Sequence, residues 1–183
     1  MAVVIFHGQF VGDMAMLWDQ NAFNSFAKAA SAVTGTNTLN ISGGTADESI
    51  TLAGKNDVIV DGGTAATATA LGAISSKGGV LTVTSDLSAS SITGFSAINT
   101  TAASIAVNGG IELAEGATIT IDMTGYTQSV FDAPILVSGT GITGITDDSI
   151  VLTGEGAGVY HAYYNHVDNS VHAMRIEIGR AHV

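Results

Sequence analysis

The sequence predicts an all-β protein: a parallel β-helix with an N-terminal capping α-helix and an aromatic-rich C-terminal closing segment. Three observations carry that expectation. From Thr38 onward apolar residues recur with period two in short runs, the pattern of half-buried strands. Gly pairs and Asn-Gly separate these runs, at Gly43-Gly44, Gly62-Gly63, Gly78-Gly79 and Asn108-Gly109-Gly110, and glycine supplies the positive φ that tight corners require. Aromatics almost vanish between 39 and 125, where Phe95 stands alone, while Ala, Gly, Thr and Ser make up 86 of the 183 residues. Small residues suit tightly stacked coils. The competing all-β solution, an antiparallel sandwich, wants hairpin turns every 8–12 residues or so.

The elements follow in order. Residues 2–6 form a short β-rich run, punctuated by Gly8 and Gly12. Residues 13–33 have helical composition, and Phe23, Phe26, Ala27, Ala30 and Val33 fall at spacings of three and four. The spacing predicts a helix over 21–33, capped by Asn21 or Asn24 and ended by Gly35. Met14, Met16, Leu17 and Trp18 then belong to a preceding turn or to a longer helix. The strand runs are 38–42, 49–53, 57–61, 80–84, 104–108, 117–122, 135–138, 149–153, 159–164 and 171–176. Pro134 precedes one of them, where its missing N–H is tolerated. The buried set is expected to be Ile41, Ile50, Leu52, Ile59, Leu81, Val83, Ile105, Val107, Ile119 and Ile121. At about 20 residues per coil, residues 37–125 give on the order of four coils, each rising ~4.8 Å.

Charge and composition exclude several functions. Asp and Glu outnumber Lys and Arg by 16 to 5, for a net charge of −11. Nucleic acid needs a basic footprint, and an anionic membrane surface needs the same. No cysteine is present, so thiolate catalysis, disulfides and Cys-ligated zinc are excluded. No run of 18 apolar residues exists to span a bilayer as a helix, despite a mean hydropathy of +0.39. No basic stretch followed by an apolar run opens the sequence, so it carries no signal-peptide pattern of its own.

The last six residues, Ile178-Gly179-Arg180-Ala181-His182-Val183, stand apart. They are similar to the translation of a short-read sequencing adapter, read as ATC GGA AGA GCA CAC GTC. On that reading residues 178–183 are an artefact, and the natural chain continues past Glu177. The expected organisation is therefore a strand and capping helix over 1–36, coils over 37–125, terminal coils and closing strands over 126–177, and the tail.

Residues 22–63 add a resemblance. The helical stretch from Ala22 to Val33, then Thr38-Leu-Asn-Ile-Ser-Gly-Gly44, Glu48-Ser-Ile-Thr-Leu52 and Asp57-Val-Ile-Val-Asp-Gly-Gly63, resembles the entry of pectin-lyase-like right-handed β-helices. There an amphipathic helix covers the open end of the first coil, hiding unpaired strands and apolar side chains. Right-handed coils over 37–125 are what the resemblance implies. Residues 117–122, 134–139, 142–145 and 159–164 are similar in rhythm to the end of the passenger β-helix of large bacterial surface proteins, autotransporters included.

Candidate chemistry is sparse. Polysaccharide-degrading enzymes of this architecture converge carboxylates, often with Arg or Lys, on one exposed strand face. Asp57 and Asp61 share a face, but ~13 Å apart, too far for an acid/base pair on one strand. Asp47, Glu48, Asp86, Asp122, Asp147 and Asp148 fall near corners, where Asp serves turn geometry. Lys55 and Arg175 are the basic residues near strands. The stretch 54–63 brushes against a calcium-binding nonapeptide, but Ala53 and Lys55 replace two of its glycines and no tandem copy follows. His161, His166 and His172 suggest a metal site only if a hairpin of 159–165 with 170–176 gathers them, and no acidic ligand has a fixed spacing to them. Tyr126, Tyr160, Tyr163 and Tyr164 are expected to close the core, in preference to stacking on sugars.

The expected function is a non-enzymatic structural or adhesive segment of a secreted or surface-exposed bacterial protein. No catalytic, cofactor or metal residue is assigned. The expected location is extracellular or on the outer cell surface. Host or environmental glycans or surface proteins are the expected partners, with no nucleic acid and no membrane insertion. The alternative is a carbohydrate-active β-helix domain, lyase- or hydrolase-like, which needs carboxylates from neighbouring coils to meet in a groove beside a base.

Overall fold

The computed structural model describes residues 3–7, 14–17, 38–42, 44–46, 50–51, 55, 57–60, 69–127 and 132–176. These are mostly strand, with no α-helix among them. The helix expected at 21–33 lies outside the described residues, as do Leu52 and Asp61.

The strands in chain order are β1 (Val3–His7), β2 (Met14–Leu17), β3 (Thr38–Ser42), β4 (Gly44–Ala46), β5 (Ile50–Thr51), β6 (Asp57–Val60), β7 (Thr69–Ser75), β8 (Val80–Val83) and β9 (Leu87–Thr93). They continue as β10 (Ala97–Thr100), β11 (Ile105–Val107), β12 (Ile111–Glu112), β13 (Thr118–Asp122), β14 (Asp132–Ser138), β15 (Ile142–Thr143), β16 (Ile150–Thr153), β17 (Tyr160–Asn165) and β18 (Ser170–Arg175). Met14–Leu17 is thus a strand antiparallel to β1, where a turn or helix was expected. Pairing with β1 decides the conformation of so short a run, and local propensity does not.

Two sheets share the strands. The first runs β16-β13-β10-β8-β6-β3-β1-β2. From β3 to β16 every neighbouring pair is parallel. The second carries β4 and β5 on β7, β7 on β9, β9 on both β11 and β12, and these on β14 and β15, again all parallel. From β3 to β16 the chain alternates between the two sheets. The described residues of 37–125 therefore do not form an antiparallel sandwich. Antiparallel pairs flank this parallel region: β1 joins β3 at one side, and β18 joins β14 at the other with β17 outside it.

Register explains the core. Val58, Leu81, Ile98, Ile119 and Ile150 stand opposite one another in successive strands of the first sheet. Ile50, Ile74, Ile92, Ile111 and Ile142 do the same in the second. All ten are buried in one hydrophobic cluster. In a parallel pair like residues lie directly above like, so a β-branched side chain repeated at each level packs against its own kind.

Of the expected buried set, Ile41, Ile50, Leu81, Val83, Ile105, Val107, Ile119 and Ile121 are buried. Ile59 is not. In β6 the buried residues are Val58 and Val60, and Ile59 shares the outer face with Asp57. Three consecutive aliphatics satisfy either phase of the alternation. Asp57 breaks the tie, because its carboxylate must face outward, where Oδ1 accepts the Val80 N–H at 2.8 Å.

Three buried hydroxyls, of Thr69, Ser85 and Thr100, have no hydrogen-bond partner among the described residues. Thr100 stands in the ladder Val60–Val83–Thr100–Ile121, is 4% exposed, and its Oγ1 has no hydrogen-bond partner. A buried hydroxyl without a partner is destabilising, and valine has the same shape. Thr100→Val is expected to raise unfolding free energy by about 1 kcal/mol in urea melts. A loss of stability would show that the hydroxyl is satisfied after all.

Candidate functional site

The polar residues that meet in this fold do so at the C-terminal hairpin. β17 and β18 pair so that Tyr163 stands opposite His172 and His161 opposite Met174. β18 also pairs with β14, across a register shift between Pro134 and Leu136. That arrangement brings Asp132 to His172 although 40 residues separate them. The turn before β18 supplies Asp168, and Asn169 takes the left-handed conformation there with φ of 56°. Asparagine tolerates that conformation better than most residues.

Five side chains form one network. His172 Nδ1 lies 3.0 Å from Asp132 Oδ1, and its Nε2 lies 2.6 Å from Ser170 Oγ and 3.1 Å from Asp168 Oδ2. Ser170 Oγ donates to Asp168 Oδ1. Tyr163 donates its hydroxyl proton to Asp132 Oδ2 at 2.6 Å. Its ring stacks on His172 with centroids 5.3 Å apart, and His161 stacks on its own ring at 6.2 Å. Ser170 and His172 are buried, at 1% and 7% exposure. A serine hydroxyl, an imidazole and a carboxylate in this order are the parts of an acyl-transfer relay. Burial of Ser170 closes that hydroxyl to a bulky outside substrate.

Electrostatics in the network follow from its bonds. The hydrogen bond from Ser170 holds the Asp168 carboxyl below its ordinary range, opposed by partial desolvation and aided by His172. The Tyr163 phenol is pushed up to about 12, first by its hydrogen bond to Asp132 and then by desolvation and the nearby carboxylate charges. The sign is that of a raised group. Its stabilising contribution is whole below the free tyrosine value of about 10 and is lost as pH rises through about 12. Ultraviolet titration of tyrosinate is expected to show a late component near that pH that moves down in Asp132→Asn. An unchanged late component in that variant would remove Asp132 as its cause.

Other sequence candidates remain apart. Asp86 Oδ1 accepts the Ser104 N–H at 3.0 Å, and Asp122 Oδ1 accepts the Thr124 N–H at 2.9 Å, so both serve corners. Asp147 and Asp148 sit in the first turn of a 3-10 helix at Asp147–Ser149. Asp57 holds Val80, as described, and Lys55 and Arg175 are exposed. Asp47, Glu48 and Gly54 lie outside the described residues. His166 meets Tyr164 edge-on at 4.5 Å, away from His172, so the hairpin does not gather the three histidines. Among the described residues no three His, Asp or Glu side chains come together to hold a metal. Tyr126, Tyr160 and Tyr164 pack on the core, and Tyr126 meets Tyr160 edge-on at 5.5 Å. Tyr163 does not join them; it faces the opposite side, into the network. Tyr164 also turns its hydroxyl to accept the Ile142 N–H at 3.0 Å, closing part of the β15 edge.

A shallow groove crosses the outer face of β8, β10 and β13. Thr82, Thr84, Asn99, Thr101, Thr120 and Asp122 line it, with Thr100 at its floor. Thr82, Asn99 and Thr120 stand in register, which repeats a polar side chain every ~4.8 Å up the sheet. One carboxylate in the groove has no base beside it.

Asp132, Asp168 and Ser170 were not singled out by sequence reasoning. Ser170 and His172 do stand at alternate positions of one strand, which puts them on one face, and that signal was present; Asp168 joins them from the turn. Asp132 had no such signal. No helix of the described residues is long and apolar enough to cross a membrane. No family model, curated protein or solved structure matches the chain.

Proposed function

We propose that this chain is a segment of a right-handed parallel β-helix that serves as a structural or adhesive scaffold on the outside of a bacterial cell. One observation carries the reading: strands of alternating sheets stack in register, with β-branched residues repeated at each level. Such a stack needs only complementarity between levels, so its length and stiffness are themselves the product. An acidic, Thr-rich exterior free of cysteine suits a stalk that crosses envelopes unfolded and stays soluble outside. Glycans or surface proteins are the proposed partners.

Two experiments test this. A crystal structure with left-handed coils would overturn the β-helix assignment. For the scaffold role, the purified chain is incubated with pectins, alginates and host glycans, with and without calcium, and products are followed by chromatography. Binding without turnover is the adhesive outcome, and neither binding nor turnover is the purely structural one. Turnover that disappears in Asp57→Asn or Asp122→Asn would establish the carbohydrate-active alternative instead.

A further inference from the structure

We propose that the Ser170 network is a self-processing site, in which the Ser170 hydroxyl attacks the Asn169–Ser170 peptide bond that precedes it. The buried relay is closed to a bulky outside substrate, but a serine hydroxyl is always next to its own preceding carbonyl. Every group that such an attack needs is in place. The base is His172, with Nε2 2.6 Å from Ser170 Oγ. Asp132 orients it: with Nδ1–H donated to Asp132 Oδ1 at 3.0 Å, the Nε2 lone pair faces the serine oxygen, and rotation about the serine C–O bond turns the hydroxyl proton from Asp168 to it. The electrophile is the Asn169 carbonyl, whose oxygen accepts the Ser138 N–H at 3.0 Å. That backbone donor sits at the distance used to stabilise a developing oxyanion. The peptide bond lies at the junction of the turn and β18, with Asn169 at φ of 56°.

The step balances within the chain. Ser170 Oγ loses its proton to His172 Nε2 and bonds to the Asn169 carbonyl carbon. The tetrahedral centre collapses, the Asn169 C–N bond breaks, and His172 returns the proton to the departing Ser170 nitrogen. The product is an ester between Asn169 and the Ser170 hydroxyl, with a free Ser170 amine. Water, which unlike a bulky substrate can enter beside the half-exposed Asp168 carboxylate, then hydrolyses the ester, leaving a carboxylate at Asn169 and a new N-terminus at Ser170. Asp168 has two contacts in this set. Its Oδ1 accepts the Ser170 hydroxyl proton in the resting arrangement, and its Oδ2, 3.1 Å from Nε2, stabilises the imidazolium once the proton moves. After cleavage β18 stays paired on both sides, with β14 and β17, so the hairpin is nicked without being lost.

The test uses the full chain. Intact-mass spectrometry is run at intervals during incubation at neutral pH, with and without hydroxylamine, which traps esters. The expected result is conversion of the 18.4 kDa chain into pieces 1–169 and 170–183, faster with hydroxylamine; their masses add up to the chain plus one water in buffer and plus one hydroxylamine where the ester is trapped as a hydroxamate. Ser170→Ala is expected to abolish cleavage, Ser170→Cys to retain it through a thioester, and His172→Gln to slow it at least tenfold. Circular dichroism confirms that each variant keeps its strand content. A wild-type chain that stays whole, hydroxylamine included, overturns the proposal. So does cleavage that persists in Ser170→Ala, which would place the chemistry on the Asn169 side chain.

Discussion

Phe95→Ala is expected to lower the unfolding free energy by about 3–5 kcal/mol, the range for removing a fully buried aromatic. Phe95 is 0% exposed and sits at the corner between β9 and β10. Its backbone is fixed too, since its carbonyl accepts the Ala114 N–H at 2.9 Å from the next level. Between 39 and 125 no other aromatic exists to swing into the space. The flanking small residues cannot expand, and hydrogen bonds between levels hold the backbone against collapse. The cavity therefore persists, and cavity persistence sets the upper part of the range. Urea unfolding of wild type and variant measures it. A loss below about 1 kcal/mol would mean that the corner relaxes freely.

The same corner shows what the sequence made legible and what it hid. Residues 81–84 and 117–121 alternate aliphatic with Thr, and β8 and β13 lie there. β7 and β9 were missed, for a specific reason. In β9 the buried positions are Leu87 and Ala89 and then Ile92, so the alternation changes phase within the strand. β7 does the same between Leu71 and Ile74, and the pairing skips Gly72. A bend lets each long strand pair with two short ones, as β9 does with β11 and β12, and a period-two reading fails across the bend. Ala and Ser on both faces remove what contrast remained.

At the hairpin, pairing of 159–165 with 170–176 was readable because two apolar and aromatic runs flank a turn of Asn and Asp. The network on it was half readable. Ser170 and His172 share a face by spacing alone, and Asp168 reaches them through the left-handed turn at Asn169. Asp132 reaches them only through the antiparallel addition of β18 to β14, a long-range choice that no local pattern in 132–138 encodes. The side on which Tyr163 lies follows from alternation, but its removal from the core depended on a partner, Asp132, that only the fold supplies.

Gly94→Ala is the second substitution expected to act strongly, and comparison with Gly78→Ala separates its two causes. Both glycines have positive φ, +76° at Gly94 and +91° at Gly78. At Gly78 a Cβ meets nothing within 4 Å, so alanine there bears only the left-handed backbone cost of about 1–2 kcal/mol. At Gly94 the Cβ falls closer than 3.0 Å to the Ser76 carbonyl oxygen of the neighbouring level. That backbone cannot step aside. Ser76 N–H donates to Thr93 O at 3.0 Å, Gly94 N–H donates to Glu112 O at 2.7 Å, and Gly78 N–H donates to Gly94 O at 2.7 Å. Three levels are tied through this point, and making room for one methyl group stretches bonds on both sides. A further ~1–3 kcal/mol is expected from that overpacking. The total for Gly94→Ala is then about 2–5 kcal/mol, against about 1–2 for Gly78→Ala. Paired urea melts give the difference directly. Equal losses would show that backbone conformation alone requires glycine at 94 and that the levels can part there without penalty.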